Sequence, residues 1–573
     1  MGEAGMLSLN SFGFVLCFMP VVVGGFWILQ RRAGREWALN WMLAASVVFD
    51  IMAGLATVVA VSACIMLNYC AARVLLSVDS KRTSRRNTVF VAAISVNLLV
   101  LGTFKYAGTL LQLTQLGSLL SASELHSLLP LGISFLTLQN IAFLDDVRCG
   151  YVTAVSVRDF VLFSVFFPRS TAGPIIHYQE FVPQLGRHEP GDPSTELAVG
   201  ICLFSLGLFK KTVLADSLGQ LVSPVFDVLP PDQPPTLLTS WVGSVAYVIQ
   251  LYFDFSGYSD MALGAARMVG IRLPMNFDSP LKAMNILEFW RGWHITLTRF
   301  LTDYIYTPLM VSLTRYRKRR GKSVLRGDHS TAAAILILIG GPAFATMLVS
   351  GIWHGTGWNY VIWGLLHGLY LTIYQAWRLE RPRWLPKSER LMPIVKVFSR
   401  LLTLIAVTLA QVFFRASSTS SAIRIIGGMV GLNGVLPFDA QLLRHSGVAL
   451  NWTTISALWD PLTPCMWVAA SLLVVWTAPN SLELLSRYGP ALDFRVGKRN
   501  TVRSTTGLPR VSAEPVSRGL GPSGRVGTAF RRLVEATAVG VIFNRLVAFI
   551  AAVLAVLGVS ALGREATFIY QQF

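Results

Sequence analysis

The chain has 573 residues, of which 53% are hydrophobic and 14% charged, and its mean hydropathy is +0.55. A soluble protein carries roughly 25% charged residues, so this composition excludes a soluble globular chain and points to a polytopic, all-α integral membrane protein. The formal charge of +19 does not point to nucleic acid. Its basic residues gather in short segments between apolar runs, as in cytoplasmic loops, where they also meet anionic headgroups of membrane lipids.

Several apolar runs approach the ~20 residues needed to cross a bilayer. In chain order the candidate spans are Phe12–Leu29, Trp37–Leu55, Thr57–Leu76, Val89–Leu111, Leu128–Leu144, and Phe160–Phe167 continuing toward Gly173. Ala198–Leu214, Leu237–Phe253, Ala332–Ser350, Trp358–Tyr374, Ile394–Phe414, Cys465–Ala478 and Leu546–Leu562 follow. The total is about eleven to thirteen transmembrane or re-entrant helices. Phe12–Leu29 lacks a basic flank and a small-residue cleavage site, so it reads as a retained span. The ten-residue alternation of a membrane β-barrel is absent. Cys17, Cys64, Cys70, Cys149, Cys202 and Cys465 are scattered, with no metal-ligand spacing, and read as small core residues.

Orientation follows the basic loops. Arg31, Arg32 and Arg35 precede the second span and Lys81, Arg82, Arg85 and Arg86 follow the third, so both clusters can be cytoplasmic. Arg315–Lys322 and the Ser-, Gly- and Pro-rich segment Arg495–Arg532 fit the same side, and the last span then leaves Gly563–Phe573 outside the cytoplasm. No internal repeat stands out, which weighs against an inverted-repeat transporter.

Between Tyr252 and Pro308 the hydropathy drops without the composition of a loop: Tyr252–Asp260, Leu273–Phe277, Phe289–His294 and Asp303–Leu309 interleave aromatics with Asp, Glu, Arg and His. Such a segment is expected to lie at the interface or to re-enter the membrane, irregular backbone being tolerated at depth only around a cavity or inside protein. A funnel leading to His354 meets that condition. His354, in Gly351-Ile352-Trp353-His354-Gly355, ends an apolar run, and imidazole at membrane depth usually carries function. His294 lies in an equally aromatic stretch. The bland alternative for either residue is a buried histidine that closes or orients a helix end.

The ordered runs Pro130–Phe135, Phe166-Phe167-Pro168, Ala172–Ile175, Phe253–Asp260, Phe289–His294, Asp303–Leu309 and Gly351–Gly355 resemble the membrane-bound O-acyltransferase family, in its bacterial alginate O-acetylation and teichoic acid D-alanylation branch. Together with the spans and loop composition above, the resemblance divides the chain into N-terminal transmembrane helices over 1–127, a catalytic core over 128–415 and C-terminal helices with a loop over 416–494. A basic flexible cytoplasmic linker over 495–535 would lead to a last transmembrane helix with its extracytoplasmic tail over 536–573. It implies His354 and His294 as catalytic residues, and Tyr570 in the aromatic tail as an acyl relay, against the plainer reading of that tail as an interfacial anchor. Trp290, Arg291, Trp293, Asp303 and Trp353 are the candidates for lining the funnel, and His367 is a cavity-facing candidate or a satisfied core histidine. Glu288, Arg291, Asp254, Asp260 and Asp303 otherwise read as structural pairs. Gln571 stands where an aromatic is more usual in the family's tail, and Gly292 and the Arg169-Ser170 pair depart from the family pattern, which leaves donor contacts and substrate identity open.

The implied activity moves an acyl group, acetyl in the first reading, from a cytoplasmic thioester such as acetyl-CoA across the bacterial inner membrane for O-acetylation of an extracytoplasmic polysaccharide. No bound cofactor or metal is expected. The expected partners are a periplasmic or membrane-anchored transferase and its polysaccharide acceptor, with no nucleic acid. The alternatives are acylation of a lipid or small metabolite, and a transporter or flippase of an amphipathic ligand.

Overall fold

The structure, a computed structural model, describes residues 8–79, 82–113, 132–186, 192–227, 234–325, 331–380, 392–435, 452–492 and 551–562. Its regular elements are helices. In chain order they are α1 (Gly13–Arg32), α2 (Arg35–Met52), α3 (Leu55–Ser77), α4 (Thr83–Leu113), α5 (Ile133–Cys149), α6 (Val157–Val165), α7 (Tyr178–Leu185) and α8 (Pro193–Phe226). Next come α9 (Leu237–Met268), α10 (Ile286–Gly292), α11 (Ile295–Leu301), α12 (Thr307–Arg319), α13 (Ala332–His354), α14 (Trp358–Glu380), α15 (Met392–Arg415), α16 (Thr419–Met429), α17 (Trp452–Thr477) and α18 (Ala551–Ser560). Among the described residues, six helices are long and apolar enough to cross a membrane: α1, α3, α4 through Tyr106, α8, α13 and α15.

The centre of the fold is α9, buried along nearly its whole length from Ala246 to Met268. Here the structure corrects the expected break at Phe253: Phe253–Asp260 continues as regular helix. The reason lies on α8, where a π-helical turn at Lys210–Ala215 offers two cations to this face. Lys211 pairs with Asp254 at 2.9 Å and with Asp216 at 2.7 Å, and Lys210 with Asp260 at 2.6 Å. Charges paired in this way no longer need the interface, so the helix keeps its backbone bonds in the core. The two helices touch through glycines. A Cβ on Gly207 would lie 2.5 Å from the Gly257 carbonyl oxygen, and one on Gly264 would lie 2.6 Å from the Gly200 carbonyl oxygen. Small residues of this kind let membrane helices approach backbone to backbone.

A second correction concerns Phe160–Phe167. The helix there, α6, has only nine residues, roughly 14 Å of rise and too short to span. Pro168 ends it, and the following segment folds over the start of α5, where Gly132 adopts φ +75 and a Cβ would lie 2.0 Å from the Ser170 carbonyl oxygen.

Candidate active site

His354 is the last residue of α13, and its position is set by how tightly α13 crosses α14. A Cβ on Gly351 would stand 2.2 Å from the Tyr360 carbonyl oxygen, and one on Gly364 2.4 Å from that of Met347. The crossing drives the imidazole into an aromatic enclosure: ring centroids of Trp353, Trp363 and Phe414 lie 4.8, 5.2 and 5.1 Å from it. His354 is 6% exposed. Lys105 and Tyr106 of α4 reach the same helix end and donate to its terminal carbonyls.

His294 caps the start of α11 with φ +43, one of two non-glycine residues with positive φ among those described. Such a conformation persists only where neighbours impose it. The neighbour is Asn276. Its Oδ1 stands 3.0 Å from His294 Nδ1 and also accepts from the Thr296 hydroxyl at 3.0 Å, while its backbone carbonyl accepts from Ile295 N–H at 2.9 Å. An amide oxygen only accepts, so the proton belongs on Nδ1, which leaves Nε2 as the basic nitrogen of neutral His294. The ring meets Phe255 edge-on at 4.7 Å. Phe135 joins the two histidine regions, 6.2 Å from His294 and 5.5 Å from Trp353.

The remaining candidates divide. Trp290 donates to His367 Nδ1 at 3.3 Å and packs on Trp363 at 5.9 Å, which joins it through Trp363 to His354. His367 is fully buried in that stack, 4.9 Å from Trp363. Trp293 packs against Phe277 at 5.2 Å, and Phe277 and Phe255 are the two rings that lead from it to His294. Asp303 is buried in the π-helical turn Thr302–Tyr306. Arg291, by contrast, is exposed. Tyr570 lies outside the described residues.

Four contributors had no signal in the sequence reading. Asn276, Lys105 and Tyr106 act through groups far along the chain. His177, to which the sequence assigned nothing, is buried with Nδ1 3.4 Å from Asp146 Oδ2. Its α7 neighbour Glu180 takes both terminal nitrogens of Arg299, at 2.8 and 3.1 Å. Burial alone would raise the Glu180 carboxyl, but Arg299 and His177 outweigh it and hold that carboxyl below its ordinary value. An apolar groove of about 700 Å³ also runs between α3 and α4, past Leu55, Val59, Cys64, Val100 and Phe104. Its lining is aliphatic and aromatic apart from the Cys64 thiol, and neither histidine borders it.

The arrangement therefore combines a buried imidazole, a second imidazole held in one tautomer and an aromatic wall that excludes water, with no cluster of metal ligands among the described residues. Comparison with known proteins gives this a family. The profile of the membrane-bound O-acyltransferase family matches residues 150–325 and 342–415, which contain both histidines. The peptidoglycan O-acetyltransferase of Helicobacter pylori is 34% identical over 75% of this chain and 81% of its own length. A Pseudomonas putida protein named "Probable alginate O-acetylase AlgI" is 33% identical over 79% of this chain and 85% of its own. The teichoic acid D-alanyltransferase of Streptococcus thermophilus is 30% identical over 45% of this chain and 60% of its own. The chain belongs to the membrane-bound O-acyltransferase family.

Proposed function

We propose that this protein takes an acetyl group from a cytoplasmic thioester, acetyl-CoA, and delivers it across the inner membrane for O-acetylation of an extracytoplasmic polysaccharide. The observation that carries the reading is the His354 imidazole, closed in by Trp353, Trp363 and Phe414, with Phe135 packed between Trp353 and His294. A hydroxyl attacking a thioester needs a base that is neutral at working pH, and imidazole is the side chain suited to it. His354 takes the hydroxyl proton as the oxygen bonds to the acyl carbon. The carbon–sulfur bond then breaks, and the thiolate leaves with the proton His354 holds. His294 orients donor or acceptor. Tyr570 is a candidate for the first hydroxyl, in which case its ester passes the acetyl group to a separate periplasmic or membrane-anchored transferase.

Position supports the direction of transfer. Arg86 donates to the Val147 carbonyl at the end of α5, and Arg35 to the Gln184 and Leu185 carbonyls at the end of α7, so basic residues gather at one end of the bundle. Lys105, beside His354, lies on the same helix as Arg86, roughly 28 Å further along its axis, close to the ~30 Å of a bilayer's hydrocarbon. A base at that depth suits an acceptor outside. The relatives named for acetylation of peptidoglycan and alginate favour acetyl as the group and a polysaccharide as the acceptor.

The test is purified protein in nanodiscs with acetyl-labelled acetyl-CoA, comparing wild type, His354→Ala and Tyr570→Phe. Wild type should release CoA and His354→Ala should not. Label that stays on the wild-type chain but not on Tyr570→Phe assigns the relay. His354→Ala that turns over at the wild-type rate removes His354 as the base.

A further inference from the structure

The end of α13 is capped from another helix. An α-helix leaves its last four carbonyls without intrahelical donors. Gly351 O receives the Gly355 N–H at 3.2 Å. The other three go to α4: the Tyr106 hydroxyl donates to Ile352 O at 2.7 Å, and the Lys105 ammonium donates to Trp353 O and, at 3.0 Å, to His354 O. Lys105 Nζ also stands 5.6 Å from the Trp353 ring centroid. Gly355 is extended at φ −164, so the usual left-handed glycine cap is not used. The cap comes instead from residues 246 to 249 positions away in the chain. A cation is well placed against the negative end of a helix dipole, yet an ammonium on a membrane span is expensive and is kept where it has work to do. The three carbonyls it and Tyr106 hold belong to the catalytic histidine and the two residues before it.

We propose that Lys105 and Tyr106 are positioning residues for acyl transfer: together they clamp the end of α13 and fix the direction in which His354 presents its imidazole. The proposal rests on His354 being the base. Tyr360 and the α14 glycines hold α13 from one side, and α4 supplies the other jaw. Without it the terminal turn frays and the imidazole drifts, and a displacement of about 1 Å costs on the order of 10²-fold in rate.

Two readouts on the full-length protein in nanodiscs test the clamp. The first is kinetic, with acetyl-CoA. Lys105→Met keeps the stem and loses the charge, and should lower kcat about 10²-fold while KM stays near the wild-type value. Lys105→Arg restores donors to the carbonyls and should recover most of the rate, which a merely packing role would not give. The second needs no turnover: carbethoxylation of His354 by diethyl pyrocarbonate, followed by peptide mass spectrometry with His294 as internal reference. His354 should react about tenfold faster in Lys105→Met, the scale of losing a charge-assisted hydrogen bond, with reversal in Lys105→Arg. Tyr106→Phe, which removes one hydroxyl, should shift it in the same direction and carries the comparison if Lys105→Met fails to insert. An unchanged His354-to-His294 ratio in these variants overturns the clamp. If that ratio changes as expected while wild type shows no turnover of acetyl-CoA, the clamp stands and the donor assignment falls.

Discussion

Asn276 does more for the candidate site than its single amide suggests. Its side-chain oxygen faces His294 Nδ1 and the Thr296 hydroxyl, its backbone carbonyl holds Ile295 N–H, and its side-chain nitrogen donates to Ser259 Oγ at 3.3 Å. One residue thus fixes the tautomer of His294, the start of α11 and the link to α9. Replacing Asn276 with Leu leaves the Nδ1 proton without its acceptor and frees the ring to turn. An imidazole displaced by about 1 Å costs on the order of 10²-fold in rate, so turnover by Asn276→Leu should fall by about that factor, while Asn276→Asp, which keeps an acceptor oxygen but loses the donor to Ser259, should fall less. Equal rates for wild type and Asn276→Leu would mean that His294 needs no orientation.

At the scale of elements, the α8–α9 pair explains why polar motifs sit inside a membrane bundle. The glycine contacts bring the backbones together, and that closeness lets Lys210 and Lys211 reach Asp260 and Asp254. Gly207→Leu would wedge the helices apart at the point where Gly207 meets the Gly257 carbonyl. Overpacking typically costs about 1–3 kcal/mol, and separating a buried ion pair adds to it. Thermal unfolding in detergent should therefore begin well below wild type, whereas Gly24→Leu on α1, where a Cβ meets nothing within 4 Å, should leave it unchanged. Equal effects from the two substitutions would remove the close approach as a cause. The same pair marks the limit of reading the sequence. Apolar runs announced α1, α3, α4, α13 and α15, because length and hydropathy are local properties. The continuation of α9 through Phe253–Asp260 was not legible, since its charges are neutralised by α8, some fifty positions earlier. Lys105 was invisible for a related reason: its partners are backbone carbonyls, which have no signature in sequence. His294 and His354 stood out because their aromatic, glycine-bounded settings are unusual within apolar chain, but nothing in either run names Asn276.

For the whole molecule, the arrangement requires a particular orientation in the bilayer. One end gathers the basic starts of α2 and α4, whose Arg35 and Arg86 reach the ends of α7 and α5, with Arg158 of α6 paired to Glu36 of α2, and α12 carries Arg317, Lys318 and Arg319 in its last turn. Excess Lys and Arg marks the cytoplasmic side. The other end holds the α13–α14 turn beside His354, with Arg415 closing on Asp227 at 2.7 Å. If the basic end faces the cytoplasm, His354 lies toward the outer face, and the proposed cytoplasmic donor would have to pass its acyl group nearly through the membrane. Two thiols decide this. Cys149 is an exposed native cysteine at the basic end, and Thr356 is an exposed residue in the α13–α14 turn. In spheroplasts, with the other five cysteines replaced by serine, a membrane-impermeant maleimide should label Thr356→Cys from outside and reach Cys149 only after the membrane is opened. The reverse pattern would put His354 on the cytoplasmic side. Transfer would then end on the side of the proposed donor, and the acceptor would have to be sought among cytoplasmic hydroxyls.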